Sequence, residues 1–391
     1  MTTTSATYGT AAGSVRTPQA IRLVADDLTG ALDTAAQFAI RGRPIAVAWS
    51  ETAAERERGS VVIDSGCREL PAVEASDRFA RFVGVLAPHP GSVSFLKLDS
   101  LLRGHAGDEI AACSSRWPSR PIIVAPAFPA QRRVTRDGRQ VVLTGNADAA
   151  AGEDIGATLS VNGIAYARRR PGDVVPPGVS LWDAETDSDL ASIATASVPP
   201  GELPLWCGSA GLASALARGV QPLQLCRVMP VARPLLGLVG SDHEVMRQQL
   251  AAISGFVVQA GNTDAEAISV LNARLRNDGT VFVTLTPRAG LDRYEARQAI
   301  EQRGADLLRL IAPPATLFVS GGETLRSVCQ ALKANALTVD GELAPGVPTS
   351  TIQGGAWHGV RVVSKSGAFG GPDMLVKLIE RSAPDSERQP S

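Results

Sequence analysis

Short apolar runs, each ending in Gly, Asp or Ser and each followed by helical spacing, recur from one end of this chain to the other. No other feature constrains the fold as strongly. Ile21-Arg22-Leu23-Val24-Ala25 reads as a buried strand, and residues 29–40 follow with helical spacing and Gly42 as a C-terminal stop. Further strands are expected at 45–48, 61–63, 93–96, 122–125 and 203–206, with amphipathic stretches at 73–86 and 107–113 between several of them. Strands that are apolar on both faces must be covered on both faces. The alternation therefore predicts an α/β protein with a mostly parallel sheet layered by helices.

At 391 residues the chain exceeds what one typical core encloses, so two such domains are expected. Between 134 and 204 the pattern weakens into Gly, Asp, Ala and Pro, which predicts a long excursion with little core of its own and a loop at 171–177. Pro222, Pro230 and Pro234 make 219–234 the best linker. The alternation then restarts. A strand at 235–239 ends in Gly240-Ser241-Asp242 and leads into a helix through 250; strands are expected at 281–285, 316–319 and 361–363, and helices at 264–276, 293–310 and 371–381. The expected organisation is a disordered tail (1–20), an N-terminal domain (21–220), a linker (221–234) and a C-terminal domain (235–385).

Charge and composition exclude several classes of partner. The net charge of -1 gives no general pull toward nucleic acid or membrane, and the one basic run, Arg168-Arg169-Arg170, precedes Pro171-Gly172 and reads as a solvated loop. Five cysteines, scattered and never in CxxC spacing, point to a reducing compartment and away from structural zinc. No histidine pair has metal-ligand spacing, and metal ligands stay unassigned. Residues 1–20 lack the apolar core of a signal peptide, and no apolar run approaches the ~20 residues of a membrane span. A cytoplasmic location is expected.

Several turns could carry chemistry. Gly321-Gly322-Glu323-Thr324 stands between the apolar run 315–320 and a helical stretch, the arrangement by which α/β proteins hold phosphate: glycines allow close backbone approach, and the helix start offers unpaired N–H groups. An ordinary tight turn has the same pattern. A second glycine loop, Ser364-Lys365-Ser366-Gly367-Ala368-Phe369-Gly370-Gly371, follows another apolar run and adds a cation, and two such loops suggest a nucleotide site. Neither a Walker GxxxxGK[ST] nor a GxGxxG fingerprint occurs, so an ATP site must be of a rarer type, and a dehydrogenase is disfavoured.

The first strand ends in Asp26-Asp27, where open α/β sheets collect ligands. One carboxylate could orient a sugar hydroxyl and accept its proton while the other holds Mg²⁺ or a second hydroxyl; alternatively, Asp27 or Thr29 simply caps a helix. Lys97-Leu98-Asp99-Ser100 and Arg103 cluster at another strand end, suited to a carboxylate or phosphate and to hydroxyls, though Lys97 could instead pair with Asp99. Arg68 follows a third strand and could grip a carboxylate with both nitrogens, or be solvated. Pro126 to Arg133 reads equally as a substrate wall or as a rigid turn, and the glycine turn Cys207 to Ala213 either sits against a substrate or phosphate or serves close helix–strand packing.

Together these motifs resemble the four-carbon acid sugar kinase family, which includes D-threonate, L-threonate, D-erythronate and 3-oxo-tetronate 4-kinases. The resemblance rests on ADDLTGALDT (25–34), KLDSLLRG (97–104), APAFPA (125–130), GSAGLA (208–213), SGGET (320–324), PGVP (345–348) and KSGAFG (365–370), in order along nearly the whole chain after the tail. It implies an N-terminal domain that binds the acid sugar, a C-terminal domain that binds ATP as Mg-ATP, and an active site in the cleft between them where the terminal hydroxyl is phosphorylated. Carried over by motif, it implies substrate contacts at Asp26 or Asp27, Arg68 and 97–100, and ATP contacts at Ser241, 321–324 and Gly367. Asp27 is then the aspartate that aligns the attacking hydroxyl, with Asp26 beside it. Leu101 and His105 stand where the family usually has Thr and Asn, on the acid-sugar side. A non-catalytic sensor of sugar acid and nucleotide on the same cleft is the alternative, and a homo-oligomer is left open.

Overall fold

The computed structural model describes residues 20–39, 43–50, 59–144, 148–220, 231–259, 265–285 and 293–384. In the first half the elements are β1 (Ala20–Ala25), α1 (Leu28–Phe38), β2 (Ile45–Ala48), β3 (Val61–Asp64), α2 (Ala72–Phe82), β4 (Ser92–Lys97), α3 (Ala106–Arg116), β5 (Ile122–Ala125), β6 (Arg133–Arg136), β7 (Arg139–Val142), β8 (Ala149–Ala150), α4 (Ile155–Val161), β9 (Tyr166–Arg169), β10 (Val179–Trp182), α5 (Asp187–Ala194), β11 (Leu205–Gly208) and α6 (Ala210–Val220). In the second half they are β12 (Val231–Arg233), β13 (Leu235–Val239), α7 (Glu244–Ala252), β14 (Val257–Gln259), α8 (Ala265–Asn277), β15 (Thr280–Thr284), α9 (Arg293–Leu310), β16 (Thr316–Ser320), α10 (Gly322–Ala331), β17 (Ala336–Ala344), β18 (Val347–Gln353), β19 (Arg361–Lys365), α11 (Met374–Glu380) and β20 (Ser382–Pro384).

Two parallel sheets form, as the apolar runs require. The first has the order β2-β3-β1-β4-β11-β5-β10-β9 and the second β14-β15-β13-β16-β19, every neighbour parallel. A hairpin that the periodicity did not predict, β17–β18, joins them: β18 pairs antiparallel with β19, and β17 antiparallel with β2. The result is one continuous 15-stranded sheet. Phe95, Leu23 and Leu96 in the first half, and Phe282 and Phe318 in the second, are fully buried on it. Each such side chain stabilises the fold by about 1.5–3 kcal/mol relative to exposure.

Three expectations need correction. Residues 134–204 are no coreless excursion. They contribute β9 and β10 to the main sheet, with Trp182 fully buried, and β6–β8 form a small sheet of their own. Short strands with little period-two contrast hid this contribution. Arg168 and Arg169 end β9 and are no free loop; Arg168 pairs with Asp137 at 3.2 Å. The predicted strand 203–206 lies two residues later, at Leu205–Gly208, because Pro204 cannot donate to the ladder. The helix stop expected at Gly42, and most of the linker (221–230), fall outside the described residues. Among the described residues no helix is long and apolar enough to cross a membrane.

Candidate active site

In each parallel sheet the strand order reverses at one point, and there a crevice opens beyond the carboxyl ends of the strands. In the first half this lies between β1 and β4. Parallel register sets Ala25 opposite Lys97 on one side and opposite Asp64 on the other, so the residues just past the strand ends emerge together. Asp26 and Asp27 leave β1, and Asp27 caps α1: its Oδ1 accepts from the Gly30 N–H at 2.9 Å, and its Oδ2 accepts from the Thr29 hydroxyl at 2.5 Å. The capping role and a site role thus coexist.

Arg68, which follows β3, binds carboxylates with both nitrogens, but the carboxylates are the protein's own. Its Nε and Nη2 donate to Asp26 at 2.8 and 2.7 Å, and Nη2 also stands 2.7 Å from Asp27 and 3.8 Å from Asp99. Burial pushes the Asp26 carboxyl above its ordinary range despite Arg68. Against the same cost of burial, Arg68, Lys97 and the Thr29 hydroxyl hold Asp27 below it. One aspartate is therefore held firmly ionised at the mouth of the strands, with its orientation set on three sides.

The β4 cluster is completed from elsewhere in the chain. Asp99 takes Arg103 at 2.6 and 3.0 Å and, against the cost of burial, is held well below the usual carboxylate range by Arg68 and Arg103. The Lys97 ammonium is buried and donates to the Leu98 carbonyl at 2.8 Å, rather than pairing with Asp99. Leu98 itself corrects the expected substrate contact: its side chain is in the apolar core, because side chains on successive residues of an extended segment point to opposite faces. Ser100 accepts from Arg133 Nη1 at 2.5 Å, and the Arg133 guanidinium lies 5.1 Å from the centre of the Phe369 ring. Leu101 and His105 do not line the cavity; His105 Nε2 sits 2.8 Å from the Leu70 carbonyl.

In the second half the crevice lies between β13 and β16. The segment Gly240-Ser241 leaves one strand, Gly321-Gly322 leaves the other, and β19 brings Lys365 and its glycine loop alongside. Gly321 has φ 109°, a conformation that suits glycine alone, and it starts α10 with no side-chain cap. Its N–H donates to the Lys365 carbonyl at 3.0 Å. A Cβ on Gly367 would stand 1.8 Å from Ser241 Oγ. Ser241, Gly321–Thr324 and Gly367 therefore converge around backbone that only glycine leaves open.

The two crevices face each other. A Cβ on Gly322 would stand 2.9 Å from Asp27 Oδ2 and 3.1 Å from Thr29 Oγ1, so the N-terminus of α10 rests against the capped N-terminus of α1. Between them is a cavity of about 30 Å³, lined by Asp27, Asp99, Ser100 and Arg133 from one half and Lys365 and Phe369 from the other. That is room for about two waters. Asp33, on the next turn of α1, also faces it; burial pushes its carboxyl up to about 7, and its Oδ1 has no hydrogen-bond partner among the described residues. Behind the cavity the halves are tied by Arg326 of α10, which pairs with the fully buried Asp64. Burial pushes Asp64 up to about 7 even so.

Arg133 and Lys365 are both buried and both line this cavity, although sequence reasoning placed Arg133 only at the end of a possible substrate wall and read Lys365 only as the cation of a glycine loop, with no contact assigned to either. Each lay in a segment already noted, the turn after β5 and the loop after β19.

A family model described as a sugar-binding N-terminal domain matches residues 21–167, and one described as a nucleotide-binding C-terminal domain matches residues 236–375. The chain is 31% identical to a D-threonate kinase of Cupriavidus necator, a match covering 89% of this chain and 94% of that one. To a D-threonate kinase of Bordetella bronchiseptica it is 29% identical, covering 92% and 96%. A crystal structure from Salmonella typhimurium LT2 shares the fold at a TM-score of 0.68 and 20% identity, covering 92% of this chain and 98% of that one.

Proposed function

The chain belongs to the four-carbon acid sugar kinase family, and from that premise we propose that it transfers the terminal phosphoryl group of ATP to the 4-hydroxyl of a four-carbon acid sugar, with D-threonate the first substrate to try. The observation that carries this reading is the contact of the Gly321–Thr324 turn with Asp27: a helix start suited to phosphate stands directly against an ionised carboxylate suited to a hydroxyl. Phosphoryl transfer demands mainly positioning and charge neutralisation, and this arrangement offers both.

The acid sugar occupies the side built from residues 21–220, and ATP the side built from 235–385. Asp27 aligns the attacking hydroxyl. Backbone N–H groups of Gly321–Thr324, with Ser241 and Gly367, hold the ATP phosphates. Arg68 holds Asp26 and Asp27 in place, so the guanidinium left for the substrate carboxylate is that of Arg133, which among the described residues donates to Ser100 and to no carboxylate. Asp99, Ser100 and Arg103 line the sugar-acid pocket beside it.

Among the described residues no three His, Cys, Asp or Glu form a group that could cage a metal. That suits Mg²⁺, which binds through substrate phosphates, waters and one or two carboxylates. Asp27 and Asp33, with its unpartnered Oδ1, are the carboxylates that would reach it, and it would supply charge neutralisation on the phosphates. Closure of the two halves on the bound substrates would exclude water and so spare ATP from hydrolysis.

The test is ADP release from Mg-ATP with D-threonate, L-threonate, D-erythronate and 3-oxo-tetronates, with Asp27→Asn alongside. Turnover with one acid, reduced about 10²–10⁴-fold in Asp27→Asn, is expected. Binding of ATP and acid without any turnover would favour the sensor instead.

A further inference from the structure

We infer that Lys365 is the residue that grips the transferring phosphoryl group, an assignment that rests on the kinase reading of this cleft and adds the contact it lacks. The backbone and side chain of Lys365 face different partners. Its carbonyl accepts from Gly321, so it is built into the phosphate turn; its side chain lines the cavity shared with Asp27, Ser100 and Arg133. A group joined to both crevices stands where the terminal phosphate must be when the acceptor hydroxyl attacks it.

Among the described residues the ammonium has no anion of its own. Lys365 is 1% exposed, and its Nζ donates only to two carbonyls of its own loop, Ser366 at 3.0 Å and Gly367 at 3.3 Å. The charged groups that face it across the cavity are Asp27, Asp33, Asp99, Lys97, Arg103 and Arg133, with Arg68 behind them turned to the aspartates. None of the carboxylates is within ion-pair distance of Lys365 among the described residues. Burial accordingly pulls the lysine down to about 7. A lysine buried without a counter-charge destabilises the fold, and such a residue in a cleft is a mark of function. A phosphate oxyanion would supply the missing charge, whereas adenosine or ribose would not.

Linkage gives this assignment a signature that a structural lysine lacks. At pH 8 an unliganded group with a pKa near 7 carries ~0.1 proton, and a phosphate beside it restores nearly a full one. Calorimetric titration of the full-length protein with a non-hydrolysable ATP analogue, in two buffers of different ionisation enthalpy, should show uptake of close to one proton (~0.8). Titration with AMP should show none. In Lys365→Met the uptake should vanish, the analogue should bind at least tenfold more weakly with AMP affinity unchanged, and turnover should fall at least 100-fold with KM for the acid within twofold. The variant should melt no lower than the parent, since it loses an uncompensated buried charge. Lys365→Arg, which keeps a charge, should retain part of the preference for ATP over AMP.

Proton uptake that persists in Lys365→Met, or parental turnover in that variant, would overturn the assignment while leaving the kinase reading intact. Proton uptake lost in Lys365→Met, in a protein that phosphorylates none of the four-carbon acids, would uphold the assignment and overturn the choice of acceptor.

Discussion

Gly322→Ala separates the stability of the fold from the spacing of the site. Gly322 is the first residue of α10, and its φ lies outside the left-handed region, so alanine meets no backbone strain there. Helix propensity alone would favour the change by at most about 1 kcal/mol. The new Cβ, however, would stand 2.9 Å from Asp27 Oδ2, roughly 0.5 Å inside the 3.4 Å at which ordinary contact begins. Asp27 cannot retreat, since Gly30, Thr29 and Arg68 hold it on three sides. The start of α10 must therefore move by about half an ångström. Where a 1 Å misplacement costs about 10²-fold, half of it costs about tenfold in kcat. The control is Gly321→Ala, where φ 109° imposes strain of about 1–3 kcal/mol. Urea midpoints and ADP-release assays on both variants give the comparison. Gly322→Ala should hold its midpoint and lose turnover; Gly321→Ala should lose both. Turnover within twofold of the parent in Gly322→Ala would refute the idea that this contact sets the distance across the cleft.

Three further predictions follow from the same residues. Asp33, raised to about 7, contributes stability that is full below about pH 4 and lost as pH rises through 7; Asp33→Asn should therefore gain about 2–3 kcal/mol on the parent between pH 5 and pH 8, and parallel urea curves would disprove it. Arg326→Met leaves Asp64 buried without its partner and should cost about 3–5 kcal/mol at pH 8, less at pH 5 where Asp64 takes a proton, with Asp64→Asn restoring part of the loss in a double-mutant cycle. Arg133→Gln should raise KM for the acid at least tenfold and leave KM for ATP within twofold; a rise in the ATP value alone would move Arg133 to the nucleotide side.

How far the site could be read from the sequence depended on whether a feature was local. Asp26-Asp27 and Gly321-Gly322 were legible because the end of an apolar run, a turn and a helix start are consecutive residues, and parallel strands bring all such ends to one edge of a sheet. The partner of each charge was not legible. Arg68 lies 42 residues from Asp26 and Arg326 lies 262 from Asp64, and nothing in the spacing says which cation a carboxylate will claim. For the same reason Arg68 seemed free to bind substrate, while Arg133 and Lys365, two cations that line the cavity with no carboxylate of their own among the described residues, were given no contact.

The sequence by itself determined the layers, the strand ends that carry chemistry and, through seven motifs in order, the family. Apolar periodicity and glycine placement act over a few residues and leave little choice. Only the tertiary structure decided that the β17–β18 hairpin joins the two sheets, that the Gly322 turn rests on Asp27, and which buried charges remain uncompensated. Those outcomes depend on packing and on electrostatic partners distant in the chain, where the cost of an unpaired charge is set by everything that surrounds it.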